Sequence, residues 1–218
     1  MKIDIEERVL HFKQPAGTSR GVYIERRIWL VSISDGRTFG RGECAPLLDL
    51  SCDAMEPAVY NKVLRGFCDQ VEQTGEIPYE EMRDYPSMLF GLETAMMDVR
   101  SKKADRKGIL FDTPFARGEQ GITINGLVWM GNHEEMLQRM EEKLKLGFRC
   151  VKLKVGAIDF DQELDLVKRI RERFSYHEVE LRLDANGGFR PDEALYKLEL
   201  LSQYAIHSIE QPIKAGQW

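Results

Sequence analysis

The sequence predicts an α/β chain in two parts, an α+β region over residues 1–115 and a βα-alternating region over residues 116–218. Three observations predict it. Alternating apolar stretches joined by a turn signal open the chain, two segments of helical spacing follow, and from residue 116 strand-like and helix-like segments alternate strictly. Strands followed by helices indicate α+β packing, whereas strict alternation indicates a parallel sheet built from right-handed crossovers.

The elements follow in order. "KIDIEERVLHF" reads as a strand, and "RRIWLVSISDGRTFGRGECAP" as a hairpin turning at "SDGR". Between them "QPAGTSRG", residues 14–21, is rich in small and polar residues and reads as a loop. "SCDAMEPAVYNKVLRGFCDQVEQ" and "YPSMLFGLETAMMDVRSKKA" read as helices, with Met88, Leu89, Leu92, Met96 and Val99 lining one side of the second.

In the second part the strands are "GITINGLVWM", "RCVKLKVG", "EVELRLDAN" and "IHSIEQPI". The intervening helices start after Asn132, Asp159 and Pro191, and the first stops at Gly147, all residues suited to those ends.

Bulk properties narrow the function. A chain of 218 residues, 43% hydrophobic and 31% charged, can bury a sizeable core. The net charge of -5, with no basic stripe, argues against nucleic acid as a partner. No window is apolar enough for a membrane span, and the charged start does not read as a signal segment. Cys44, Cys52, Cys68 and Cys150 show no metal-ligand spacing and read as reduced thiols, which implies a cytoplasmic location.

The chemistry gathers at strand ends. Lys152 and Lys154 alternate with Val151, Leu153 and Val155, so one face of their strand carries two like charges. Asp184 and Asn186 stand in the same relation on the next strand, and Ser208 and Glu210 on the one after. The carboxyl ends of parallel strands are where α/β folds bind ligands. Two carboxylates there, Asp184 and Glu210, repel unless a cation lies between them, and oxygen ligands suit magnesium. Singly, each has another reading: a solvated KxK face, a turn or helix-cap role for Asp184, a loop position for Glu210. Recurrence in phase is what those readings do not predict. His11, His133, His177 and His207 receive no role, His11 and His133 being expected on the surface.

"KLKVG", "RLDANGGF" and "SIEQPI" resemble strands two, three and four of the enolase superfamily, muconate-lactonizing subgroup, and "GRGECAPL" and "SMLFGLETAMMDV" resemble its capping domain. Within the subgroup "INGLVWMG" and "SIEQPIKAGQW" are most similar to the o-succinylbenzoate synthase family; muconate cycloisomerases and dipeptide epimerases share the KxK, DAN and EQP elements. The resemblance implies an α+β capping domain over 1–115 and, over 116–218, the first four strands of a (β/α) TIM-type barrel. It implies a Mg2+-dependent lyase of menaquinone biosynthesis that removes a proton beside the carboxylate of a small-molecule substrate and expels water syn, through an enediolate. Lys154 is then the base and Lys152 the support for the carboxylate. Asp184 and Glu210 are the metal ligands, Asn186 a partner of metal or substrate, and residues 14–21 a mobile lid bringing Arg20 to the substrate. A neighbouring ammonium and a divalent cation favour the neutral form a base needs.

The family's barrel has eight strands, and its third carboxylate ligand and opposite-face lysine lie on strands five and six. The expectation for these 218 residues alone is therefore a noncatalytic half-barrel that binds magnesium poorly and self-associates through unpaired sheet edges.

Overall fold

The computed structural model describes residues 1–18, 21–106, 108–129 and 131–217. The chain forms two compact units, one built from Met1–Pro15 and Tyr23–Ile122, the other from Ala16–Val22 and Thr123–Trp218. No helix among the described residues is long and apolar enough to cross a membrane.

The first unit holds a three-stranded sheet of β1 (Lys2–Thr18), β2 (Gly21–Ser34) and β3 (Phe39–Cys44), in the order β1-β2-β3, with α1 (Pro57–Thr74) and α2 (Pro86–Lys103). β2 and β3 are antiparallel, and the expected "SDGR" turn joins them: Asp35 accepts from the backbone N–H groups of Arg37 and Thr38 at 3.0 and 2.8 Å. Trp29, Val31 and Ile33 alternate inward and pack with Tyr60, Leu64, Met88, Leu92 and Val99. Glycine sets the approach of α2 to β3. A Cβ at Gly42 would strike the Gly91 carbonyl, one at Gly40 the Ala95 carbonyl, and one at Gly91 the Cys44 sulfur. The "GRG" run thus lets a helix lie directly on a strand.

Two expectations need correction here. Residues 14–18, read as loop, belong to β1, because a small-residue stretch can be held extended by a neighbouring strand despite weak propensity. The first helix starts at Pro57 rather than before it, proline occupying its first turn.

The second unit is a parallel sheet in the order β4-β5-β6-β7: β4 (Gly126–Val128), β5 (Cys150–Lys154), β6 (Glu180–Asp184) and β7 (Ser208–Glu210). The connecting helices are α3 (His133–Lys145), α4 (Phe160–Arg173) and α5 (Pro191–Ser202). Their starts are as the sequence signals: Asn132 forms a capping box with Glu135, Asp159 accepts from the Asp161 N–H, and Pro191 opens α5. Gly147 follows α3 with φ 87°, a left-handed conformation that suits glycine. Val151, Leu153, Leu181 and Leu183 bury one face of the sheet with Leu166, Val167 and Ile170 of α4. The edge strands are shorter than expected. Among the described residues of "GITINGLVWM", 126–128 pair with β5, and Ile122 and Ile124 are exposed, since an edge strand has one neighbour to hold it. His133, expected on the surface, is half-buried, its ring Nε2 2.9 Å from Asp165 Oδ2.

Candidate active site

β5 to β7 run in register so that Lys154, Asp184 and Glu210 are direct Cα partners at the carboxyl end of the sheet. One step earlier Lys152, Arg182 and Ser208 form a second row on the same face. Period-two alternation puts every apolar neighbour of these residues on the other face, against the helices. The charged face is a consequence of strand phase.

The side chains converge. Lys154 Nζ donates to Asp184 Oδ2 at 2.6 Å and to Asn186 Oδ1 at 3.0 Å. Lys152 Nζ lies 3.1 Å from the same Asp184 oxygen and donates to Glu210 Oε2. Lys152 therefore stands as a cation between the two carboxylates. Asp184 is 1% exposed although it lies on the polar face, while the Glu210 side chain is 61% exposed. Burial pushes the Asp184 carboxyl up, but hydrogen bonds from Lys154, Lys152 and the Asn186 N–H outweigh it and hold the group below its ordinary value. The Lys152 ammonium is raised, chiefly by its bond to Glu210, against burial.

The turn reading of Asp184 also holds, through its second oxygen, which accepts from the Asn186 N–H at 3.1 Å. Asn186 has φ 47°, a left-handed conformation that asparagine tolerates, and this turns its amide back toward Lys154. Gln211, next after Glu210, has φ 45°. Both line a cleft of about 540 Å³ with Gly156, Gly187, Gly188 and Lys214. Unusual backbone at two successive strand ends beside one cleft is the pattern of a built site.

Asp184 and Glu210 offer only oxygen donors, one from each of two adjacent strands, and already hold a cationic group between them, so they fit a hard divalent cation. Among the described residues no set of three His, Cys, Asp or Glu side chains converges as a metal site. Arg20, expected at the substrate, lies outside the described residues.

Sequence reasoning missed Glu163. It is 2% exposed, and its Oε1 accepts the backbone N–H groups of Gly156, Ala157 and Ile158 at 2.6, 3.1 and 3.3 Å, clamping the loop after β5. Burial raises its carboxyl, with those three N–H groups opposing. The available signal was its spacing with Leu166, Val167 and Ile170, which puts an acid on the buried stripe of α4.

The second half of the chain, residues 135–218, matches the Enolase C-terminal domain-like family, and residues 19–99 match the MenC, N-terminal domain family. An o-succinylbenzoate synthase from Desulfotalea psychrophila is 37% identical over 100% of this chain and 66% of its own length. The chain thus spans just under two thirds of that relative. The crystal structure of MenC from Desulfotalea psychrophila superposes with a TM-score of 0.71 at 32% identity, covering 98% of this chain and 64% of that one. A dipeptide epimerase from Enterococcus faecalis, solved with Mg and the dipeptide L-Leu-L-Tyr, has a TM-score of 0.76 at 22% identity, covering 97% of this chain and 60% of the other. That likeness concerns the fold. Strand phase, the lysine and carboxylate row, two family models that together span most of the sequence and a full-chain relative agree that the chain belongs to the enolase superfamily.

Proposed function

We propose that the protein is an o-succinylbenzoate synthase, a magnesium-dependent dehydratase acting on a cyclohexadiene carboxylate in menaquinone biosynthesis. The observation that carries this reading is the row Lys154–Asp184–Glu210 with Lys152 and Asn186 on one sheet face beside a cleft. The 37% identity over the whole chain supports the choice of substrate.

Asp184 and Glu210 are the residues that would hold magnesium, their carboxylate oxygens being the donors a hard divalent cation takes. Magnesium, when bound, places positive charge beside the substrate carboxylate and makes the adjacent C–H more acidic. Lys154 takes that proton. Its Nζ is fixed by Asn186 Oδ1 and Asp184 Oδ2, so the amine is aimed before substrate arrives. Lys152 keeps its ammonium, the state its bonds to Glu210 and Asp184 favour, and supplies fixed charge beside the developing enediolate. The conjugate acid of Lys154 then delivers its proton to the leaving hydroxyl on the same face, which makes the elimination syn.

The test is a direct assay of the full-length protein with the cyclohexadiene dicarboxylate precursor, set against muconate and against dipeptides. Turnover of the precursor with kcat/KM well above the others is the expected result. Preferential epimerisation of a dipeptide would move the protein to the sister activity with the same residues, and turnover of none would remove the catalytic reading.

A further inference from the structure

The loop after β5 joins Lys154 to α4, and one carboxylate oxygen of that helix holds it. Glu163 Oε1 accepts the N–H groups of residues 156, 157 and 158, which begin two positions after Lys154. The loop in turn presses on the turn after β6. Gly156, at φ 88°, has room for no Cβ, which would lie 3.0 Å from the Ala185 carbonyl and 3.1 Å from Gly188 Cα. A Cβ at Gly188 would meet the Gly156 carbonyl at 2.6 Å. That second turn carries Asn186 and follows directly on Asp184 at the end of β6, the two partners of the Lys154 amine. Three N–H bonds to one acid, and backbone against backbone beyond them, make a rigid path with little side-chain slack.

We propose that Glu163 is a positioning residue of the site, setting the place of Lys154 against Asp184 and Asn186 through the residue 156–158 loop. The proposal rests on Lys154 being the proton-transfer group, and it adds a residue on a helix, outside the cleft, to what the reaction needs. Misplacement of a catalytic group by about 1 Å can cost about 100-fold in rate, so a loosened clamp acts on kcat more than on KM.

The test compares Glu163→Gln, which keeps an oxygen acceptor, Glu163→Leu, which keeps the volume and removes it, and Glu163→Asp, which draws the acceptor back by one methylene, all in the full-length protein. Three readouts apply: kcat and KM, amide hydrogen exchange across residues 150–160, and the ratio of Lys154 to Lys152 acylation measured by mass spectrometry. For Glu163→Leu the expected results are a kcat lower by about 100-fold with KM within about threefold, faster exchange at residues 156–158, and a changed labelling ratio. Glu163→Gln should stay near the parent on all three. If Glu163→Leu does not fold, Glu163→Asp must still differ from Glu163→Gln in kcat and labelling. Equality of those two, or freed loop amides with parental kcat and labelling, would overturn the proposal. Exchange and labelling need no substrate, so a parent protein inactive on the dehydratase precursor would count against the proposed function while leaving this test decisive.

Discussion

The sheet of β1, β2 and β3 sets Trp29, Val31 and Ile33 against its helices, and the acid buried in that unit, Asp53, lies on the loop before α1. Asp53 Oδ2 accepts from the Ser87 backbone N–H and hydroxyl at the start of α2, neutral donors that tie a loop to a helix end. The parallel sheet sets Val151, Leu153, Leu181 and Leu183 against its helices in the same way, yet of the two buried acids there, Glu163 on α4 and Asp184, the second is on the strand itself and faces two lysine amines. An acid neutralised by local dipoles is sufficient to hold a fold. An acid that binds two lysines at the rim of a cleft carries a desolvation cost that a packed apolar side chain would avoid, and such costs are retained where chemistry needs them.

Breaking the second sheet's charged row should therefore damage chemistry before structure. On the proposed function, Lys154→Ala in the full-length protein should lower kcat by about 1,000-fold or more, the range for losing a general base, with an unchanged circular dichroism spectrum. Activity within tenfold of the parent would place proton transfer elsewhere. Asp184→Asn should act on both sides of the comparison. Magnesium affinity by calorimetry should fall by at least about tenfold, and stability by about 2 kcal/mol, below the usual figure for a fully buried pair because both lysines keep some solvent. The sign with pH follows from the lowered Asp184 carboxyl: its contribution is complete above the unfolded carboxylate value of about 4 and is lost as pH falls through the folded one. Denaturation curves of the Asn variant should accordingly depend less on pH on the acid side.

The row was legible because strand period is exact in integers of residues. Lys152 and Lys154, Asp184 and Asn186, Ser208 and Glu210 are each two apart, and a parallel sheet can only stack such pairs on one face. Helix starts were legible because Asn132, Asp159 and Pro191 act through local hydrogen bonds or a fixed φ. What stayed hidden was non-local. Residues 14–18 are strand because β2 is beside them, Ile122 and Ile124 lie before the three residues of β4 that pair with β5, and Glu163 caps a loop that composition alone does not bring to it.

In the first unit the sensitive positions are the glycines between β3 and α2. Gly42→Ala puts a Cβ onto the Gly91 carbonyl, backbone against which no side chain can yield, and overpacking of this kind costs about 2 kcal/mol. For a chain of this size that is a fall of about 4–8 °C in Tm by calorimetry. Activity per folded molecule should be unchanged. A variant with parental Tm would show that α2 slides freely on β3.

The smallest effect on stability belongs to Glu210, and it separates the two kinds of acid most sharply. Its carboxylate is mostly exposed and pairs with Lys152, so Glu210→Gln should change the unfolding free energy by no more than about 0.5 kcal/mol, as for other solvated ion pairs. What remains of that contribution lies on the alkaline side. Lys152 is raised in the folded protein, so its share of stability is present below the unfolded lysine value of about 10.4 and is lost as pH climbs through the folded one. The Gln variant should lose the alkaline step and little else, while its magnesium affinity falls as far as that of Asp184→Asn. Equal loss of metal affinity with unequal loss of stability is the signature of two carboxylates with one function and different burial. A Glu210→Gln variant that unfolds several kcal/mol more easily and binds magnesium as the parent does would make the row a structural ion pair, holding the fold as the Asp53–Ser87 hydrogen bonds do.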